Sequence, residues 1–552
     1  MNFVKRTRSF HGPDCDTDHA LVVSTLRIKP RSNYRSKVKP LPKINVRGTR
    51  NPSNRETFAS EMKASLNKAE DVSVLTPDES WGRLKDTIHT CAVKAFGLRP
   101  SYRHDWVEEN ADTLIPLLEK KRAARIDHSR EQTQSSRDRL KATKAEVQRI
   151  ARKCANDYWT KLCHEIQTAA DKGDAQTMYE KIKTAIGPTT SKCAPIKSAS
   201  GEDLTDPKQQ LDRWVEHYTG LYGADKPANP HLEEALERLP TMAELDEIPS
   251  IEELAEAILD LKDGKACGED SIPAEVLKQC REVLLPELYK LLTLSWETGE
   301  FPHEMRNAKI VTLYKNKGDK GDCNNYRGIS LLSITGKAFA RIILKRLHKL
   351  AERVLPESQC GFRAGRSTMD MIFTLRQLQE KCREQNQPLY TAFIDLTKAF
   401  DTVSRSALYK VLDHVGCPPT LLSLIASFHN DMQAKIQFEG NLSESFPVNT
   451  GVKQGCVLAP TLFGIYLAAL LHHAFKSSAE GVYVRTRTDG SLFNLARLKA
   501  RTLCTEVLVR ELLFADDAAI VARTNQELQN LLNSLSQACD LFGLQISLKK
   551  RR

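Results

Sequence analysis

The sequence predicts an α+β fold in which short apolar strands alternate with helices. The first observation is a set of strands that end in acidic residues. Leu389 to Ile394 has the composition of a buried strand, and Asp395 stands at its end. Leu512 to Phe514 and Ala519 to Ala522 have the pattern of two hairpin strands, which places the adjacent carboxylates Asp516 and Asp517 at a tight turn.

The second observation is a helical pattern over residues 106–186. Leu140, Val147 and Ile150 form one apolar stripe, and Tyr158 with Trp159 adds an aromatic anchor. Lys and Arg crowd the opposite face. Such a face is either simply solvated or contacts nucleic acid, and the sequence leaves both interpretations open.

Composition shifts divide the chain into five segments. We expect a short tail (1–30), a basic and partly disordered linker (31–105), the charged helical region (106–186), a linker with one helix (187–248) and a main domain (249–552). The linker helix runs from Leu211 to Tyr222. The main domain opens with a helix from Glu252 to Leu261, capped by Ser250.

Composition excludes several classes of protein. The chain has 552 residues and a net charge of +11, which is weak evidence for a polyanionic partner. Its 14 cysteines include no CxxC pair, so neither a zinc ribbon nor a disulfide scaffold is indicated. No secretory signal opens the chain, and the longest apolar run contains Pro460 and is too short to span a bilayer. We therefore expect a soluble, intracellular protein that does not enter a membrane.

Neighbouring carboxylates repel each other, and burying them adds a desolvation cost. A divalent cation such as Mg²⁺ removes both objections, because it prefers carboxylate oxygens. Asp395 on the same sheet could complete a site for two divalent ions, the arrangement that supports in-line phosphoryl transfer. The alternative for Asp516 and Asp517 is an ordinary polar turn. Asp401 is expected to cap a turn or helix.

Other segments have residues suited to a nucleotide. Gly451 and Gly455 allow close approach of the backbone to a flat ligand, Gln454 can hydrogen-bond to it, and an apolar helix follows from Thr461 to Phe475. A strand, a basic hairpin turn and a second element place Lys315, Lys317 and Arg327 where they could face a triphosphate, although a solvated basic hairpin is the alternative.

A glycine- and arginine-containing loop, Gln359 to Thr368, suits backbone phosphates. Residues 481–493 alternate around Asp489-Gly490 and predict a β-hairpin. Arg485 and Arg487 share one face of that hairpin. They either contact a nucleic acid or lie on an exposed edge.

Taken together, these segments resemble the reverse transcriptase domain of LINE-type (non-LTR) retrotransposons. The resemblance covers residues from about 260 to 550 and depends on the order and spacing of five signatures. These begin at Asn325 (Asn-Tyr-Arg-Gly-Ile-Ser-Leu-Leu), Gln359 (Gln-Cys-Gly-Phe-Arg), Phe393 (Phe-Ile-Asp-Leu-Thr-Lys-Ala-Phe-Asp), Gly451 (Gly-Val-Lys-Gln-Gly-Cys-Val-Leu-Ala-Pro) and Phe514 (Phe-Ala-Asp-Asp).

The resemblance implies the fingers and palm of a right-hand polymerase, with an antiparallel palm sheet, and an RNA-directed DNA polymerase that uses two Mg²⁺ ions or Mn²⁺ in their place. It implies that Asp395, Asp516, Asp517 and the carbonyl of Leu396 are metal ligands. Phe400 would be the gate against a ribose 2′-OH, although ordinary core is the alternative, and Lys550 would protonate the leaving pyrophosphate. The remaining implied contacts are to the nucleotide through Lys315, Arg327, Gln454 and Gly455, and to template and primer through Arg363, Arg366, Phe514 and Ala515.

The tail resembles the last catalytic element of the endonuclease/exonuclease/phosphatase family. Asp18 and His19 precede an apolar run, Ala20 to Val23, which we expect to be a buried strand. The rest of that fold is not upstream, so we interpret the tail as an inactive remnant; a basic arm with a chance Asp-His pair is the alternative. Such an endonuclease precedes the polymerase in LINE-type elements, which agrees with the first resemblance.

The palm signature around Lys550 is the last that the chain contains, and the thumb is expected to be absent. We therefore expect a truncated copy of an element. The expected partners are an RNA template, a DNA primer, dNTPs and the element's own RNA, in a nuclear or cytoplasmic ribonucleoprotein. The alternative function is a catalytically inactive, nucleic-acid-binding remnant. A group II intron maturase or a telomerase is a more distant alternative.

Overall fold

The computed structural model describes residues 4–10, 21–26, 43–67, 75–98, 106–186, 195–224, 227–487 and 504–547. The chain divides into two compact units. The first contains Met1–Phe96 and Pro195–Arg552, and the second contains Gly97–Ala194. Helices and strands are both present in the described ranges, which confirms the mixed α+β prediction.

The first unit begins with a two-stranded antiparallel hairpin of β1 (Val4–Phe10) and β2 (Leu21–Leu26). The predicted strand after the Asp-His pair therefore forms. Its expected burial is wrong, because Val22 and Val23 are 62% and 45% exposed. Asp18 and His19 themselves lie outside the described residues.

Two helices, α1 (Pro52–Asn67) and α2 (Pro77–Phe96), occupy much of the segment expected to be a linker. Phe58 of α1 stacks on Phe96 of α2, with ring centroids 5.4 Å apart. Trp81 and Ile88 of α2 are fully buried. The apolar residues of α2 recur at helical spacing, a signal that the basic composition around them obscured.

The second unit is helical, as predicted. It contains α3 (Trp106–Glu109), α4 (Ala111–Glu131), α5 (Gln134–Asp171) and α6 (Ala175–Ile186). A short turn joins α4 to α5, and the Thr133 side chain caps α5 by accepting a hydrogen bond from the backbone N–H of Ser136. Leu140 and Val147 are buried. Trp159 is 44% exposed and is therefore not a buried anchor.

Residues 195–248 pack into the first unit and do not behave as a linker. They contain β3 (Ile196–Lys197), β4 (Asp203–Leu204), α7 (Pro207–Tyr222) and α8 (Leu232–Ala235). Trp214 of α7 is completely buried, and its ring lies 5.0 Å from that of Tyr326, in the main domain. The predicted helix is thus correct, while its aromatic face packs against the main domain.

The main domain continues the first unit. Up to residue 384 its elements are α9 (Ile251–Leu259), α10 (Ala274–Gln279), α11 (Arg281–Thr298), α12 (His303–Arg306), β5 (Ala308–Tyr314), β6 (Tyr326–Leu331), α13 (Ile334–Val354) and α14 (Thr368–Glu384). After it come β7 (Tyr390–Ile394), α15 (Ala399–Thr402), α16 (Arg405–His414), α17 (Pro419–Ser427), β8 (Gln433–Phe438), β9 (Asn441–Leu442), β10 (Phe446–Pro447) and α18 (Ala459–Phe475). The last elements are β11 (Val482–Arg487), β12 (Cys504–Val509), β13 (Glu511–Phe514), β14 (Asp517–Ala522) and the helix Asn525–Phe542.

Among the described residues of this domain, two sheets have more than two strands. One has the strand order β10-β8-β5-β6, with β9 paired to β8; its β5–β6 pair is antiparallel, as predicted, and its β5–β8 pair is parallel. The other is the antiparallel sheet β13-β14-β7. Ser250 caps α9 by accepting a hydrogen bond from the N–H of Glu253, which confirms that prediction.

The first strand of the hairpin predicted around Asp489-Gly490 pairs with a strand later in the chain than predicted. β11 pairs with β12, and Arg487 lies opposite Cys504, so the connection is longer than an Asp-Gly turn. The Asp-Gly dipeptide itself lies outside the described residues, as do the side chains of Arg485 and Arg487. Among the helices of the described ranges, none is both long and apolar enough to cross a membrane.

Replacing Trp214 with alanine tests whether α7 belongs to the core. We expect the Trp214→Ala variant to lose about 3–5 kcal/mol of unfolding free energy, because a fully buried aromatic ring is removed. Chemical denaturation would measure the loss. Ile248→Ala, at a half-exposed position of the same segment, should change it by no more than about 0.5 kcal/mol. Equal stability of the two variants would show that the segment is a linker.

Candidate active site

The acidic pair occupies the tight hairpin that the sequence predicts. Phe514 of β13 lies opposite Asp517 of β14, which leaves Ala515 and Asp516 as a two-residue turn. Ala515 has a φ of 58°, in the left-handed region where such turns usually place glycine or asparagine. A conformation of this kind persists only when its surroundings hold it.

The side chain that holds this turn is Gln359. Its Oε1 accepts a hydrogen bond from the Ala515 N–H at 3.1 Å, and its Nε2 donates to the Ala515 carbonyl at 3.4 Å. Gln359 is 3% exposed. Beside it, the Cys360 N–H donates a hydrogen bond to the Leu513 carbonyl at 3.0 Å, and Gln359 forms a parallel bridge with Leu513. The Gln359 loop is thus a support for the acidic turn.

Gly361 permits this close contact. A Cβ atom at this position would lie 2.1 Å from the amide nitrogen of Ala515. Ala515, expected beside template and primer, is itself buried, and Phe514 is half-buried. The two loop arginines, expected to bind phosphates, have internal partners: Arg363 donates to the Pro356 carbonyl at 3.1 Å, and Arg366 pairs with Glu357.

Asp395 lies beside the acidic turn because β7 and β14 are adjacent. Ile394 is opposite Ala518 in this antiparallel pair, so the next step of the register places Asp395 opposite Asp517. Directly opposed residues have Cα atoms about 4.5–5.5 Å apart. Side chains alternate along a strand, so both carboxylates share a face with Phe393, which is 76% exposed. The carboxylates thus lie on the open face of the sheet.

A third segment supports Asp395 from its other side. The Ser547 N–H donates to the Asp395 carbonyl at 2.8 Å, and the Thr397 N–H donates to the Gln545 carbonyl at 2.8 Å. Leu396, whose carbonyl is the implied metal ligand, is buried and pairs with Ile546. Lys550, the implied proton donor, lies outside the described residues.

The donor set suits Mg²⁺, since Asp395, Asp516 and Asp517 offer only carboxylate oxygens. In the described part of the chain, however, no three His, Cys, Asp or Glu side chains are close enough together to hold a metal ion. The register, continued by one residue, therefore sets the backbones of Asp395 and Asp517 opposite each other, and the three-ligand site stays a prediction.

A glycine turn lies next to this sheet and is fixed by Arg405. This buried guanidinium donates to the backbone carbonyls of Gly451 (3.1 Å), Val448 (2.7 Å) and Thr450 (3.3 Å). Gly451 has a φ of +79°, and a Cβ atom there would lie 2.6 Å from the Asp401 carbonyl oxygen. The turn and α15 are therefore in backbone contact.

Asp401 and Gln454 meet across this contact. Gln454 donates through Nε2 to both carboxylate oxygens of Asp401, at 3.2 and 3.1 Å, and Tyr222 donates its hydroxyl to Oδ1 at 3.2 Å. Burial raises the pKa of Asp401 to about 6, against the hydrogen bond from Tyr222 and the charges of Lys398 and Lys315. Asp401 is therefore a buried hydrogen-bonding group, whereas we expected a turn or helix cap. Gly455 is exposed.

Phe400 is half-buried and lies between Asp395 and Asp401. Its ring stacks on Phe463, with centroids 4.5 Å apart, and meets Phe362 edge-on at 6.2 Å. Its carbonyl accepts a hydrogen bond from the Val452 N–H at 2.8 Å. These contacts hold the ring of the predicted sugar gate in place.

Cations gather near Asp401. Lys315 donates to the Asn324 carbonyl at 2.9 Å, and Lys398 donates to the Asn324 side chain at 3.4 Å. Partial burial and the positive charges of Lys398 and Arg327 lower the pKa of Lys315. Mutual repulsion of this kind is relieved when an anion binds. Lys317 is exposed in the adjoining turn.

Several residues of this region have roles that their local sequence does not indicate. The sequence predicts a phosphate loop at Gln359, gives no signal at Lys398 and indicates only a helix end at Tyr222. Lys453 is buried without an acidic partner among the described residues; burial lowers its pKa to about 7, and its ammonium donates to the Arg306 carbonyl at 2.7 Å. No local pattern marks these roles, because each depends on a partner far along the chain.

Comparison with known proteins finds similarity over the part of the chain that contains these residues. Residues 315–552 match the family described as reverse transcriptase (RNA-dependent DNA polymerase). The transposon TX1 uncharacterized 149 kDa protein of Xenopus laevis is 27% identical over 276 residues, which are 49% of this chain and 21% of that protein.

Two Drosophila proteins are similar over longer ranges. The RNA-directed DNA polymerase from mobile element jockey of Drosophila funebris is 25% identical over 438 residues, 75% of this chain and 46% of that protein. The probable RNA-directed DNA polymerase from transposon BS of Drosophila melanogaster is 23% identical over 468 residues, 83% of this chain and 50% of that protein. The chain spans half or less of each of these three relatives.

Replacing Gly361 with alanine tests the support of the acidic turn. We expect Gly361→Ala to lose about 1–3 kcal/mol of unfolding free energy, because the added methyl group collides with the Ala515 backbone. Denaturant titration would measure this. Gly220→Ala, in open space on α7, should be neutral or stabilising by up to about 1 kcal/mol. If both variants were neutral, the contact between Gly361 and Ala515 would not support the acidic turn.

Proposed function

We propose that the chain carries a reverse transcriptase domain of the non-LTR retrotransposon type and acts as an RNA-directed DNA polymerase. The match of residues 315–552 to the reverse transcriptase family and the similarity to the polymerases of mobile element jockey and transposon BS support this proposal. In the proposed reaction the 3′-OH of a primer attacks the α-phosphate of a dNTP on an RNA template. The new phosphodiester bond forms as the bond to pyrophosphate breaks, and the proton of the attacking hydroxyl passes to solvent. The observation that supports the proposal is the β7–β14 register, which ends at Ile394 opposite Ala518 and, continued by one residue, would set Asp395 opposite Asp517 on an open sheet face.

Asp395, Asp516 and Asp517 would hold two divalent cations, with the Leu396 carbonyl as a further ligand. Bound there, Mg²⁺ or Mn²⁺ would supply positive charge to the attacking and leaving oxygens. The chain's own contribution is to hold these groups in place before the substrate arrives. The Gln359 contacts with Ala515 and the Ser547 contact with Asp395 serve that purpose.

The cations on the nucleotide side have a separate role. Lys315, Arg327 and Lys398 would neutralise the triphosphate, and Arg327 can do so with a bidentate fork. Phe400, fixed by Phe463 and Phe362, would exclude a ribose 2′-OH by steric contact. Lys550 would donate a proton to the leaving pyrophosphate.

We also propose that the helical unit binds the element's own RNA. Between residues 120 and 161 there are thirteen Lys and Arg against five Asp and Glu. Lys141, Arg149, Arg152 and Lys153 are exposed along the outer face of α5. From residue 141 to residue 153 a helix extends about 18 Å, enough to follow several phosphates.

Primer extension tests the polymerase proposal. We expect the chain to extend oligo(dT) on poly(rA) in Mg²⁺ or Mn²⁺, and Asp516→Asn to abolish extension because a metal ligand is lost. Asp263→Asn, at an exposed carboxylate that pairs with Lys278, is the matched control and should retain activity. No extension by the wild-type chain, with primer–template binding retained, would instead favour a non-catalytic nucleic-acid-binding protein.

Salt-dependent binding tests the RNA proposal. Replacing Lys141, Arg149, Arg152 and Lys153 with glutamine should weaken RNA binding and reduce the slope of log K against log salt by about 3, since up to four phosphate contacts are lost. The control replaces four exposed lysines of the other unit, Lys208, Lys262, Lys290 and Lys349. An equal effect of both sets, or of neither, would contradict the proposal.

A further inference from the structure

Asp401 is a buried carboxylate whose hydrogen-bond partners are neutral. It is 8% exposed, and no lysine or arginine in the described ranges forms an ion pair with it. Its side-chain partners are the Tyr222 hydroxyl and the Gln454 amide. A buried charge without an ion pair destabilises a fold, and asparagine or an apolar residue would avoid that penalty. Stability therefore does not account for a carboxylate at this position.

Tyr222 is fixed where it meets Asp401. Its ring stacks on that of Tyr218, with centroids 5.8 Å apart and planes 8° from parallel. Its carbonyl accepts a hydrogen bond from the Asn449 N–H at 2.8 Å. Burial raises the pKa of Tyr222, so its hydroxyl stays protonated and donates. Oδ1 of Asp401 is thus held from the side of α7.

The carboxylate in turn decides which way the Gln454 amide faces. An ionised carboxylate only accepts hydrogen bonds, so the NH₂ group of Gln454 must face Asp401. Nε2 lies 3.2 and 3.1 Å from the two carboxylate oxygens. Gln454 is half-exposed, and within the described residues its Oε1 accepts no hydrogen bond. An acceptor is thereby left available on the glycine turn.

We propose that Asp401, held by Tyr222, is a positioning residue that orients the Gln454 amide so that Oε1 accepts a hydrogen bond from a hydroxyl or amino group of the incoming nucleotide. This inference rests on the proposed polymerase function. It gives the acidic residue after Phe400 a role in nucleotide recognition that is separate from metal binding. A neutral side chain at 401 would let the amide adopt either orientation.

The test is a set of variants that move the negative charge from position 401 to position 454, and the measured quantity is the KM for dTTP. Asp401→Asn should raise KM about 3- to 10-fold, the loss expected for one hydrogen bond, with kcat changed less than twofold. Its melting temperature at pH 8 should be unchanged or higher, because a buried charge is gone. Gln454→Glu, which sets two carboxylates together, should raise KM further. The double variant D401N/Q454E restores a donor–acceptor pair and should recover most of the loss.

Further variants separate positioning from folding. Tyr222→Phe should raise KM less than Asp401→Asn, since it removes one of the contacts. Asp413→Asn, at a carboxylate that pairs with Arg238, should leave KM unchanged. A lower melting temperature of Asp401→Asn with wild-type KM, or failure of the double variant to recover, would overturn the proposal.

The dependence of KM on pH is a further measurement, and a purely structural role of Asp401 would not change it. As pH falls through about 6, Asp401 protonates, and KM of the wild type should rise. The nucleotide's phosphates titrate in a similar range, so the difference from Asp401→Asn is the measured quantity. The groups that face Asp401 are Tyr222 and Tyr218 of α7, Lys315, Lys398, and Arg405 and Lys453 around the same cavity.

Failure of the two proposals can be told apart. If the wild type extends no primer, the dissociation constant of dTTP with bound primer–template, measured by thermal shift, replaces KM and should show the same ranking of variants. The positioning role would be overturned if the wild type bound no dTTP. It would also be overturned if D401N/Q454E bound dTTP no more tightly than the single variants. If the wild type extends primers normally and the variants all have the same KM for dTTP, the positioning role of Asp401 is overturned and the polymerase proposal is not.

Discussion

Two like charges opposite each other at the ends of neighbouring strands are the constraint on which the rest depends. β7 and β14 keep Asp395 and Asp517 together because their other faces are committed to the core, through Ile394, Ile520 and Ala522. On the open face, Val521 is covered by Leu378 and Cys382 of α14. A slip of one residue would turn the carboxylates into the core and the apolar residues outward. Apolar burial thus fixes an arrangement that electrostatics alone opposes.

Polar side chains with backbone partners carry this order into the loops. Gln359 holds the backbone of Ala515, and Arg405 holds the carbonyls of the glycine turn. Such contacts determine loop conformation, whereas apolar packing determines only which faces meet. The glycine turn and the acidic turn are thereby supported by different buried groups, joined through the short segment that contains Phe400 and Asp401.

The sequence predicted the parts of the molecule whose signals are local. Strands ending in Asp395 and before Asp516, the helix of Trp214, and the capped helix after Ser250 are confirmed because periodicity and capping act over a few residues. The role of Gln359 was missed because 156 residues separate it from Ala515. Composition also misled: the basic segment before residue 105 conceals the apolar face of α2, and Asp489-Gly490 suggested a turn for β11, which instead pairs with β12.

The contact between Gly361 and Ala515 has a consequence for how such chains can diverge. Any side chain at 361 would displace the backbone at 515, and the left-handed φ of Ala515 is kept only while Gln359 caps it. A single change at any of these three positions is therefore expected to lower stability. We expect accepted substitutions to arrive as compensated sets.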